Sequence, residues 1–83
     1  MPQFTWNRSA EDAALSLSLN LDDVEGLLKQ RMADNACEPY GVRGRLRTAV
    51  KIGNRGRFVI EFGRDLAGRP VIQQVYPDSD SEA

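Results

Sequence analysis

Apolar residues recur at two different periods along this chain, and the change from one to the other falls near residue 40. In the first half the spacing is helical. Ser9-Ala10-Glu11-Asp12 sets a hydroxyl three residues before a carboxylate, which satisfies free amide donors at a helix start and suits the helix dipole. Ala10, Ala13, Ala14 and Leu17 then follow at i, i+3, i+4 and i+7. Residues 15–21 also alternate as a strand would, Leu-Ser-Leu-Ser-Leu-Asn-Leu, so helix and strand both stay open there. The start signal and the alanines favour helix, because alanine is the best helix former and is depleted in strands.

A second helix is predicted over residues 21–33. Asn20 is its cap, Leu19 and Val24 pack across that cap, and Leu21, Val24, Leu27, Leu28 and Met32 form one apolar stripe. Gly26 is a mild weak point on the other side. Residues 34–41 carry turn formers and a proline, and read as the loop that ends the helical half.

Beyond it the period drops to two. Residues 45–52 alternate, with Leu46, Thr48, Val50 and Ile52 on one face and Arg45, Arg47, Ala49 and Lys51 on the other. Gly53-Asn54-Arg55-Gly56 turns the chain, and Phe58, Ile60 and Phe62 point inward on a second strand over 57–62. Residues 63–69 turn again. Residues 70–76 supply a third strand, whose opening Pro70 suits a sheet edge. The order ααβββ predicts an α+β fold in which two N-terminal helices pack on one face of a three-stranded antiparallel sheet and leave the other face wet. Residues 1–77 read as a single domain, and residues 78–83, acidic and serine-rich, as a disordered tail.

Composition narrows the chemistry. Eighty-three residues allow one small core, with little room for an enclosed cofactor cavity, so no cofactor is expected. There is no histidine, which removes histidine-based nucleophilic triads, histidine general bases and histidine-ligated metals. Cys37 is the single cysteine, so an internal disulfide and a thiolate zinc cluster are excluded, and no metal site is expected. The lone thiol fits a reducing compartment. No apolar run approaches the roughly 20 residues of a membrane span, and Met1–Trp6 lacks the basic and apolar regions of a secretory signal, so a cytoplasmic protein is expected.

The net charge of −1 hides a division: residues 1–38 carry −4, residues 39–77 carry +6, and the tail carries −3. Arginine outnumbers lysine nine to two. Arg45, Arg47 and Lys51 share one strand face, with Arg57 able to stand opposite them, and side chains two apart on a strand lie about 7 Å from each other, near the repeat of phosphates along a nucleic-acid strand. The candidate binding residues are therefore Arg43, Arg45, Arg47, Lys51, Arg55, Arg57 and Arg69. The competing reading is that these arginines solvate the outer face of a half-covered sheet. Glu61, the one acid in the sheet, suits a general base or a cross-strand ion pair with Arg47 or Arg45. Tyr76 and Tyr40 suit base stacking or a core edge. Trp6 reads as an anchor of the N-terminus against the sheet. Cys37 reads as an inert loop thiol.

Phe4-Thr5-Trp6, the segment Leu19 to Leu28, Gly56 to Phe62 and Val71 to Tyr76 together resemble the small BrnT-type toxins of the RelE superfamily, over most of residues 4–76. The resemblance implies a RelE-like fold, a cognate antitoxin as partner, and endoribonuclease action on mRNA by basic and aromatic residues of the sheet. Under it, the catalytic candidates are Arg47, Arg57, Glu61 and Tyr76, with Lys51 a further proton carrier. This chain departs from the pattern by lacking a histidine in residues 7–14 and by its mild acidity. Those departures favour a non-catalytic interaction protein, such as a phage or mobile-element inhibitor or regulator, that binds a protein or RNA through the arginine face. The endoribonuclease is the alternative, and a homodimer through an edge strand is a further possibility.

Overall fold

A computed structural model describes residues 4–39 and 45–78. The chain runs β1 (Thr5–Trp6), α1 (Arg8–Ser16), α2 (Leu21–Ala33), β2 (Glu38–Pro39), β3 (Leu46–Lys51), β4 (Arg57–Arg64) and β5 (Pro70–Pro77). The α+β class and the antiparallel pairing of the three long strands agree with the sequence pattern. The sheet itself corrects the expectation, because it has five strands in the order β1-β5-β4-β3-β2 and is mixed, β1 running parallel to β5. Both extra strands are two residues long, too short to show any alternation. Residues 34–41 are accordingly not all loop, since Glu38 pairs with Arg47 and Pro39 with Leu46. Pro70 does not mark an edge strand, since β5 lies between β1 and β4.

The helix ends are specified locally. α1 is capped by Asn7, whose side chain accepts from Ser9 N, so the cap lies two residues before the Ser9 that the sequence signal points to. α1 stops at Ser16 because Ser18 takes a left-handed φ of 60°, and Leu19 N and Ser18 N return to Ala14 O and Leu15 O at 2.9 and 3.0 Å. The segment 15–21 is thus the end of α1, its C-terminal cap, and the Asn20 cap and first residue of α2, neither a continuous helix nor a strand. α2 spans Leu21–Ala33 under Asn20, whose side-chain oxygen accepts from Asp22 N and Asp23 N, as its sequence predicts. It closes the same way as α1, with Asn35 at φ 56° and Ala36 N on Arg31 O at 2.9 Å. Gly56, at φ 96°, returns the chain after the short 3-10 turn Gly53–Arg55 between β3 and β4.

The core joins the helices to one face of the sheet. Ala10, Ala14, Leu19, Val24 and Leu28 meet Val50, Phe58, Ile60, Phe62, Ile72 and Val75. Full burial of a large side chain such as Phe62 or Ile60 contributes about 1.5–3 kcal/mol each. Alternation then sends the intervening residues of β3, β4 and β5 to the opposite face, on which no helix packs among the described residues. No helix among them is long and apolar enough to cross a membrane.

Candidate functional site

The helix-free face is built of cross-strand rows. Arg47, Glu61 and Gln74 lie in one row and Ala49, Val59 and Tyr76 in the next. Lys51 and Arg57 form a third, beside Asp78, whose N donates to Arg57 O at 3.0 Å. Arg47 Nε donates to Glu38 Oε1 of β2 at 3.0 Å, an ion pair exposed enough to contribute about 1 kcal/mol or less. Glu61, directly across from Arg47, is only 7% exposed, and Tyr76 Oη donates to its Oε2 at 2.5 Å. A guanidinium, a carboxylate and a phenol thereby meet on one patch, three groups able to hold an anion and move a proton.

Lys51 and Arg57 are direct cross-strand neighbours of like charge. Because Arg57 O accepts from Asp78 N, its backbone groups point to β5, so its pairing with Lys51 is of the narrow kind that brings side chains closest. Like charges so placed are destabilising, and an incoming anionic group relieves them.

The remaining cations do not extend this patch into one stripe. Arg45 immediately precedes β3, at the end of the sheet remote from Lys51. Arg55 Nη1 donates to Leu17 O at 3.1 Å, one of the carbonyls left over at the end of α1, which draws its side chain to the helix layer. Arg69 lies in the β4–β5 turn, where its N donates to Asp65 Oδ1 at 2.9 Å. Arg43 and Tyr40 lie outside the described residues, as does the tail beyond Asp78. Sequence reasoning passed over Val59, Glu38 and Asp78. Val59 carries a legible signal, being an apolar residue on the outward phase of β4.

Cys37 lies in the loop between α2 and β2, half-buried against the core. Burial pushes its pKa up, while the Thr48 hydrogen bond and the Arg31 charge pull it down less strongly. Among the described residues no group of three or more cysteines or acids is placed to hold a metal ion. No known protein family, curated protein or solved structure matches the chain.

Proposed function

We propose that this chain is a small non-catalytic interaction protein, an inhibitor or regulator that binds a protein partner through the helix-free face of its sheet. The observation that carries the reading is the row Ala49, Val59, Tyr76, half-buried and apolar to aromatic, set between rows that hold charges of both signs. An aromatic centre within a polar rim is the make-up of a protein interface. A track for polyphosphate calls for cations without acids among them, whereas Glu38, Glu61 and Asp78 interleave with Arg47 and Arg57 here.

The test compares capture of partners from host extract by the natural chain, by Val59→Asp, and by Leu66→Ser, which alters a fully exposed apolar side chain in the β4–β5 turn. The expected result is one protein lost with Val59→Asp and retained with Leu66→Ser, while induction leaves growth and mRNA intact. Retention by a folded Val59→Asp overturns the reading.

A second reading, a RelE-like endoribonuclease, is favoured by the Tyr76 hydroxyl on the Glu61 carboxylate beside Arg47, a grouping suited to proton transfer near a held phosphate. Fragmentation of mRNA on induction, abolished by Arg47→Ala with Arg57→Ala, would establish it in place of the first.

A further inference from the structure

β3 is paired along only part of its outer side. β2 reaches Leu46 and Arg47, and among the described residues no strand lies beside Ala49 to Lys51. The phase of the ladder decides which backbone groups are left over. Arg57 turns its N–H and C=O toward β5, so its partner Lys51 turns its own away from β4, and Ala49, two residues back, does the same. Ile52 N on Gly56 O at 3.0 Å agrees with that phase.

The chain entering β2 passes Thr48 on this side of β3. Thr48 Oγ1 donates to Ala36 O at 3.2 Å and accepts from Arg31 Nε at 3.2 Å, which holds Ala36 near the end of α2. A cleft of about 340 Å³ results, lined in part by Arg31, Arg47 and Ala49. A second, of about 380 Å³, lies at Lys51 between α2 and the hairpin, with Asp22, Asp23, Leu27 and Ile52 in its wall.

We propose that the outer edge of β3 accepts one further strand, an extended segment of the protein partner that hydrogen-bonds to Ala49 and Lys51 and directs a carboxylate at Lys51 and Arg57. The inference rests on reading the helix-free face as a protein interface. Unpaired backbone at a sheet edge is a template for a strand from another chain, and flanking clefts receive its alternate side chains. Sheet alternation puts the added residue opposite Lys51 on the helix-free face, where an acid faces both Lys51 and Arg57 and adds to Asp78, which already lies beside Arg57. A second copy of β3 answers this poorly, since it brings another Lys51 to the same edge.

Short capped peptides of alternating threonine and glutamate, or threonine and lysine, serve as probes of the full chain. The glutamate peptide is expected to slow amide exchange at Ala49 and Lys51 and to bind about tenfold more tightly than the lysine peptide. Ala49→Pro removes an N–H that points off the edge and breaks no bond to β4, so the chain still folds and binding falls about tenfold. Lys51→Glu with Arg57→Glu leaves the backbone untouched and reverses the peptide preference. Unchanged exchange with either peptide overturns the proposal, as does undiminished binding by folded Ala49→Pro. Protection of Ala49 that grows with protein concentration alone identifies a second copy as the occupant and overturns it too. A natural partner lost with Val59→Asp but kept by Ala49→Pro ends this inference and leaves the interface standing; one kept by both ends both.

Discussion

The indole Nε1 of Trp6 donates to Oε2 of Glu25 at 2.6 Å, tying β1 to the middle of α2 across 19 positions of sequence. Glu25 is 7% exposed, so it is a buried acid on a helix that otherwise buries apolar groups. Removing the donor while keeping an aromatic ring, Trp6→Phe, leaves that carboxylate one hydrogen bond short and is expected to cost about 1.5–3 kcal/mol. Glu25→Gln keeps an acceptor oxygen and is expected to cost less. Urea unfolding of the two variants checks this, and equal losses would assign the effect to packing of the indole.

The sequence signal places the start of α1 at Ser9, and the structure gives the cap to Asn7. Asn7 has two further bonds, Nδ2 to Gln73 Oε1 at 3.0 Å and its backbone N to Ile72 O at 2.8 Å, which join the cap to β5. Asn7→Ala is therefore expected to lower stability by about 1–2 kcal/mol, and Ser9→Ala by a few tenths at most. Thermal melting of the pair decides it, and the reverse order would return the cap to Ser9.

Ser18 adopts a left-handed backbone that a Cβ disfavours, yet it is the residue that terminates α1 and lets Leu19 fold back over Ala14. Ser18→Gly is expected to stabilise the fold by about 1 kcal/mol, because glycine takes this conformation without penalty. Asn35, at the matching place after α2, tolerates it better, so Asn35→Gly gains less. Melting temperatures measured side by side test the ranking.

What could be read from sequence was whatever is specified within one turn or one strand. α2 was legible because its cap, its stripe and its loop are contiguous, and the inward residues of β3 and β4 because alternation survives over six positions. β1 was not: it has two residues, and its partners Val71 and Ile72 are 66 positions away. The candidate site divides on the same ground. The Lys51–Arg57 opposition follows from a hairpin and could be anticipated, whereas the diversion of Arg55 to Leu17 O depends on where α1 ends in space. The Tyr76–Glu61 bond needed the register of β4 on β5, which shifts at Glu61/Phe62.

The Cys37 thiol is held above its ordinary pKa chiefly by burial. A raised folded value means the native state binds this proton more tightly than the unfolded chain. Its contribution is present in full below the unfolded thiol value of about 8.5 and is lost as pH rises through the folded one. Native protein is expected to react slowly with iodoacetamide at neutral pH, and Cys37→Ser to lose less stability than the natural chain on going from neutral to alkaline conditions. Thr48→Val removes a bond that lowers the pKa and is expected to slow alkylation further. Alkylation as fast as in a short unfolded peptide would contradict the burial argument.

Tyr76→Phe separates what the phenol does for the fold from what it does for the site. Without its hydroxyl the buried Glu61 loses a donor held at 2.5 Å, and a cost of about 1.5–3 kcal/mol is expected, read by urea unfolding. Glu61→Gln should recover part of that loss in the double variant, since an uncharged amide needs the donor less than a carboxylate does. The functional outcome differs between the two readings. A protein interface uses the ring of Tyr76 as its aromatic anchor, so Tyr76→Phe keeps most of the affinity and Tyr76→Ala loses it. Ribonuclease chemistry uses the hydroxyl, so Tyr76→Phe abolishes cleavage as fully as Tyr76→Ala. Partner affinity and mRNA integrity, measured on both variants at a temperature where each is folded, distinguish the ring from the proton.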